Sequence, residues 1–81
     1  NISVFEDHPI TLECFASGEP KPQILWYKNG KRIITDSRVY FDSFGYLAIN
    51  QVRITDSGEY LCRAENIAGI ATHSFQLSVK G

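Results

Sequence analysis

Apolar residues recur along the chain in short runs that alternate with polar ones at a period of two, the mark of strands with one buried face. Ile10, Leu12 and Cys14 alternate with Thr11, Glu13 and Phe15, and Ile24 and Trp26 with Leu25 and Tyr27. Leu47 and Ile49 flank Ala48 in the same way, Tyr60, Cys62 and Ala64 continue the pattern, and Phe75, Leu77 and Val79 close it. Turn signals separate these runs at 17–22 (SGEPKP), Asn29-Gly30, Ser43 to Gly45, Asp56 to Gly58 and Asn66 to Gly69. Asn29-Gly30 suits a tight type I′ hairpin, because both residues tolerate positive φ. No stretch of ten residues keeps a helical period, although Val52 to Ser57 fits one short helical turn. The pattern predicts an all-β fold, an antiparallel sandwich or barrel of short strands.

Length limits how that fold is stabilised. With 81 residues there is room for one domain over 1–81, near the size where an apolar core alone gives modest stability. The chain opens inside one strand-like run and closes just after another, as a unit excised from a longer multidomain chain would. Eight Lys and Arg against nine Asp and Glu, with no block of like charge, lack the electrostatic footprint of a nucleic-acid or acidic-membrane binder. No run approaches the length of a membrane span, and no basic-then-apolar leader opens the sequence. Pro20 and Pro22 admit reading as an SH3-type ligand, but two prolines around a lysine more simply fix an extended loop leading into the Trp26 strand.

The segment DSGEYLC, Asp56 to Cys62, admits three readings: a ligand loop, a redox loop or a structural corner. Strand phase puts Cys14, Trp26 and Cys62 all inward, as one core cluster. The order Cys14, Trp26, Leu47-x-Ile49 and Asp56-x-Gly58-x-Tyr60-x-Cys62 then resembles an immunoglobulin domain over nearly the whole chain. Gly18-x-Pro20-x-Pro22, Trp26-x-Lys28-Asn29-Gly30 and Ala64-x-Asn66-x-x-Gly69 narrow the resemblance to the intermediate, or I-set, type. It implies a two-sheet antiparallel Greek-key β-sandwich. It also implies a Cys14–Cys62 disulfide between strands B and F, with Trp26 of strand C against the sulfurs, and a corner in which the Tyr60 hydroxyl bonds back to backbone near Asp56. Gly58 would permit the tight turn, Arg38 at the start of strand D would pair with Asp56, and Asn66 with Gly69 would shape the last hairpin. DSGEYLC is then a structural corner. Two departures stand out: Asp7 where a glycine is usual, and a first strand shortened at its N-terminus.

Other chemistries find little support. His8, Cys14, Cys62 and His73 have no paired metal-ligand spacing. Asp42, Asp56 and Glu59 lie near turns with no nucleophile motif or glycine-rich phosphate loop, so neither an enzyme nor a cofactor or small-molecule substrate is expected. Asn1-Ile2-Ser3 is a glycosylation sequon, pointing to a secreted or surface glycoprotein.

Strand phase also turns Leu25, Tyr27 and Leu61 outward on one sheet with Arg63 beside them, a composition suited to protein contact. Single exposed apolar residues are also ordinary on any surface. Phe15 and Tyr40 form a smaller outward pair on the other sheet. The expected function is a non-catalytic protein-binding or spacer module of a cell-adhesion, receptor or matrix protein, outside the cell or on its surface. Its partners would be another protein, homophilic or heterophilic, or neighbouring domains of the same kind. The alternative is a cytoplasmic spacer of muscle or cytoskeletal type, whose cysteines stay reduced.

Overall fold

The computed structural model describes residues 1–15, 18 and 21–81; the part of the 17–22 turn formed by Ser17, Glu19 and Pro20 lies outside the described residues. Among the described residues, eight strands follow one another: β1 (Ile2–Phe5), β2 (Ile10–Leu12), β3 (Gln23–Lys28), β4 (Lys31–Arg32), β5 (Val39–Phe41), β6 (Leu47–Ile49), β7 (Gly58–Asn66) and β8 (Gly69–Lys80). A 3-10 turn at Ile54–Asp56 falls within the stretch that fits one helical turn. The strands form a five-stranded sheet in the order β1-β8-β7-β3-β4 and a three-stranded sheet in the order β2-β6-β5. Leu12, Cys14, Trp26, Leu47, Ile49, Val52, Tyr60, Cys62, Leu77 and Val79 fill the space between them. Each sheet buries one face, which is why the period-two pattern persists through both.

Tight turns set the register. Asn29 and Gly30 take φ of 50° and 85°, and the two-residue loop pairs Lys28 with Lys31 and Tyr27 with Arg32. In the last hairpin Asn66 pairs with Gly69, and the Asn66 side-chain oxygen accepts a bond from the Ala68 N–H at 2.9 Å. Gly58, at φ 151°, lies where an added Cβ would sit 3.0 Å from the Asn29 side-chain amide. That amide oxygen accepts the Glu59 N–H, also at 3.0 Å, so the first hairpin is pinned to the start of β7.

The two-sheet antiparallel sandwich is as expected, with one parallel pairing at its edge, and three finer expectations are corrected. Among the described strands every pairing is antiparallel except β1 with β8, which run parallel with Ile2 opposite Leu77. The chain then crosses from the large sheet to the small one at Asp7, whose φ is 72°, with its N–H donating to the Val52 carbonyl at 2.8 Å. A crossover made so abruptly needs positive φ, which explains the usual glycine; aspartate is among the side chains that tolerate it best. The β2 ladder stops at Leu12, so Cys14 lies two residues beyond its strand, although the alternation of buried and exposed positions continues through it. Ala48 is buried even though its phase is outward, because its small side chain sits between Thr11 on β2 and Tyr40 on β5. The same register separates Tyr40 from Phe15: Tyr40 is level with Thr11, four residues from Phe15, whose ring instead packs edge-on against Tyr46 at 5.6 Å.

Candidate functional site

The interior of the sandwich is built around one cross-strand pair. Trp26 on β3 lies directly opposite Cys62 on β7, and Cys62 is disulfide-bonded to Cys14 across the sheets. The indole stacks on Phe75 at 5.8 Å, and its N–H donates to the Gly45 carbonyl at 2.8 Å. That last bond ties the β5–β6 turn to the core. Gly45 takes φ of 83°, which presents the carbonyl and suits glycine, and an added Cβ would press on Ile24 at 3.3 Å.

At one end of the sandwich the Tyr60 hydroxyl donates to the Asp56 carbonyl at 2.6 Å. The Asp56 carboxylate takes two bonds from Arg38, at 2.6 and 3.1 Å, and a third from the Arg53 N–H at 2.7 Å. Burial alone would raise the Asp56 pKa, but the bonds from Arg38 and Arg53 outweigh it and hold the carboxyl below its ordinary value. Burial of Tyr60, with the Asp56 charge beside it, pushes the phenol up to about 12.

The two shifts bound stability from opposite sides. Asp56 contributes fully above the ordinary carboxylate value of 3.8, and that contribution is lost as pH falls through its lower folded value. Tyr60 contributes while neutral, fully below 10, and loses its contribution as pH climbs from there towards 12. We expect urea midpoints to be flat near neutrality and to fall at both extremes. An absorbance titration should show one tyrosine ionising only towards pH 12 or on unfolding; tyrosine ionisation that is complete near pH 10 would contradict the corner.

The other titratable residues singled out from the sequence lie at turns or exposed positions. The Asp42 carboxylate accepts the Phe44 and Tyr46 N–H groups at 2.9 and 3.0 Å, shaping the β5–β6 turn. Glu59 is exposed, and its carbonyl accepts the Asn29 N–H. His8 lies 3.3 Å from the Glu6 carbonyl, and His73 is exposed on β8. Among the described residues no three His, Cys, Asp or Glu side chains gather as a metal site. Asn1 is exposed and precedes β1.

The outward face of the larger sheet is the candidate site for a partner. Leu25 lies opposite Arg63 and Tyr27 opposite Leu61, so the four residues form two adjacent cross-strand rows, all half-buried. Arg32 is placed opposite Tyr27 by the first hairpin, with its guanidinium 5.9 Å from the ring centre. Glu65 pairs with Arg63 at 3.0 Å, and Ile70, opposite Glu65, extends the face. Strand phase does not single out Arg32, yet its position is accessible from the sequence: a two-residue loop at 29–30 forces 27 opposite 32. The group of exposed Phe15 and Phe44 with half-buried Tyr46 escapes strand phase as well, because it is assembled from a turn and the segment beyond β2 rather than from one face.

Known proteins share this arrangement. The family model described as "Immunoglobulin I-set domain" matches residues 1–79. Human hemicentin-1 is 41% identical over 80 residues, a match that covers 98% of this chain and 1% of the relative, so the chain spans a small fraction of that protein. Among solved structures, Drosophila OTK extracellular domains 3-5 superpose with a TM-score of 0.91 at 36% identity, over 100% of this chain and 28% of that one. An immunoglobulin domain in the titin M10–obscurin like 1 complex gives a TM-score of 0.88 at 32% identity, covering 95% and 82% of the two chains. With the bridged cysteines, the central tryptophan and the two-sheet order all in place, the chain belongs to the immunoglobulin I-set family.

Proposed function

We propose that this chain is a non-catalytic protein-contact and spacing module of a longer multidomain protein, and that it engages its partner through the outward face of β3 and β7. The observation that carries this reading is the contiguity of Leu25, Tyr27, Leu61 and Arg63 across two neighbouring strands. Aromatic and arginine side chains on a flat, half-buried surface are the groups that dominate binding energy at protein interfaces. The partner is another protein, or a neighbouring domain of the same kind. The titin M10–obscurin like 1 structure, named as a complex of immunoglobulin domains, supports contact between domains of this type.

An extracellular or cell-surface location, with glycan on Asn1, accords with the likeness to domains named as extracellular in OTK and with the bridged cysteines. The second reading, a cytoplasmic array unit with free thiols, draws on the likeness to titin domains.

The test is a substitution on the face. Tyr27→Ala should leave the melting temperature within a few degrees and weaken affinity for a partner captured by cross-linking at least ten-fold, about 1.4 kcal/mol or more. Tyr40→Ala, on the other sheet, should change affinity less than two-fold. Unchanged affinity for Tyr27→Ala would exclude this face as the contact surface.

A further inference from the structure

The two sheets leave an open cleft between β4, the edge of the larger, and β5, the edge of the smaller. It encloses about 460 Å³ and is lined by Lys28, Lys31, Ile33, Val39, Ile49 and Tyr60, among others. The floor is apolar and the rim cationic.

The edge itself is equipped for pairing. Hydrogen-bonded and non-bonded pairs alternate along an antiparallel ladder. Since the Ile33 N–H donates to the Trp26 carbonyl at 3.1 Å, the intervening Arg32 directs its own N–H and carbonyl away from β3, along the free edge. Ile34, just beyond, is 87% exposed.

Charge decides what fits there. The Lys28 ammonium donates to the Thr55 carbonyl at 2.6 Å, and Asp56, the acidic residue of the lining, is already neutralised by Arg38. Among the described residues the ion pairs are Arg38–Asp56 and Arg63–Glu65, so Lys31 stands at the edge with no carboxylate partner there, while the Arg32 guanidinium is turned over Tyr27 on the outward face. A second copy adding edge to edge would set Lys31 against its own counterpart, which is repulsive. An acidic strand would meet it favourably.

We propose that the cleft between β4 and β5 is a second binding site, which takes an extended acidic peptide segment. The segment adds as a strand to the β4 edge through the Arg32 backbone, seats apolar side chains over Ile33, Val39 and Ile49, and sets carboxylates against Lys31, with Lys28 on the same rim. Main-chain bonds supply the affinity, and the cations supply the selection for acid. This site is separate from the outward face of β3 and β7, and it stands whether or not that face binds a partner.

The probe is an acetylated peptide of alternating valine and glutamate, titrated into ¹⁵N-labelled protein while backbone amide shifts are followed. Shifts should concentrate at residues 31–34 and along the cleft, with affinity at least five-fold above that of the valine–lysine counterpart. Lys31→Glu should weaken binding at least ten-fold while Arg63→Glu, on the outward face, changes it less than two-fold. The same peptide N-methylated at alternate backbone nitrogens should lose binding, since it cannot pair with the edge. Amides 31–34 that do not move, equal affinity for the lysine peptide, or full binding of the N-methylated peptide would each overturn the proposal.

Discussion

Replacing Trp26 with alanine should destabilise the domain by about 3–5 kcal/mol, enough to leave it largely unfolded at 37 °C. The magnitude follows from three interactions that the indole makes at once. It is 1% exposed, so its whole area leaves the core on truncation, and it faces Cys62 in register while stacking on Phe75. Its N–H also holds the Gly45 carbonyl, so the truncation strips a hydrogen bond from the β5–β6 turn, worth about 1 kcal/mol. Trp26→Phe separates these contributions, because it keeps most of the ring and removes the N–H; it should lose a smaller part of the stability. Urea melts followed by circular dichroism read both variants. A melting temperature lowered by only a degree or two in Trp26→Ala would contradict this core, since each kcal/mol shifts the midpoint of a domain this size by roughly 4–8 °C.

Reduction of the Cys14–Cys62 bridge should have an effect of similar size. The bond closes a loop with a sequence separation of 48, and the chain-entropy model gives about 4 kcal/mol for constraining such a loop in the unfolded chain. Small domains have only several kcal/mol in total. With reductant, the urea midpoint should fall by more than half, and the fully reduced chain should be marginally folded at body temperature. A midpoint that barely moves would show that the apolar core suffices without the bridge.

Much of this fold is legible in the amino-acid sequence because a half-buried strand writes its orientation into every second residue. Cys14, Trp26, Leu47 and Tyr60 are buried where alternation puts them, and Asn29-Gly30 forms a two-residue hairpin because positive φ is a local property. What escapes are relations between distant segments. Phase names the face a side chain occupies but not its lateral neighbours, so it matches Phe15 with Tyr40 although the β2–β6–β5 register separates them. The parallel pairing of β1 with β8 depends on the Asp7 crossover, and no periodicity encodes which sheet a first strand joins. Gly45 reads as a turn residue, whereas its carbonyl also satisfies the buried indole nineteen residues away in sequence. The face formed by Leu25, Tyr27, Leu61 and Arg63 is legible in composition, and the register adds that the four are neighbours. Its partner is a property of another molecule.

The most direct test of a disulfide-bridged contact module of the cell surface is the mass of the protein recovered from its native source, alkylated without prior reduction. Such a module predicts that Cys14 and Cys62 both stay unmodified, with the chain lighter than the dithiol by its two thiol hydrogens. Two alkylated cysteines would contradict it and assign the domain to a reducing, intracellular array.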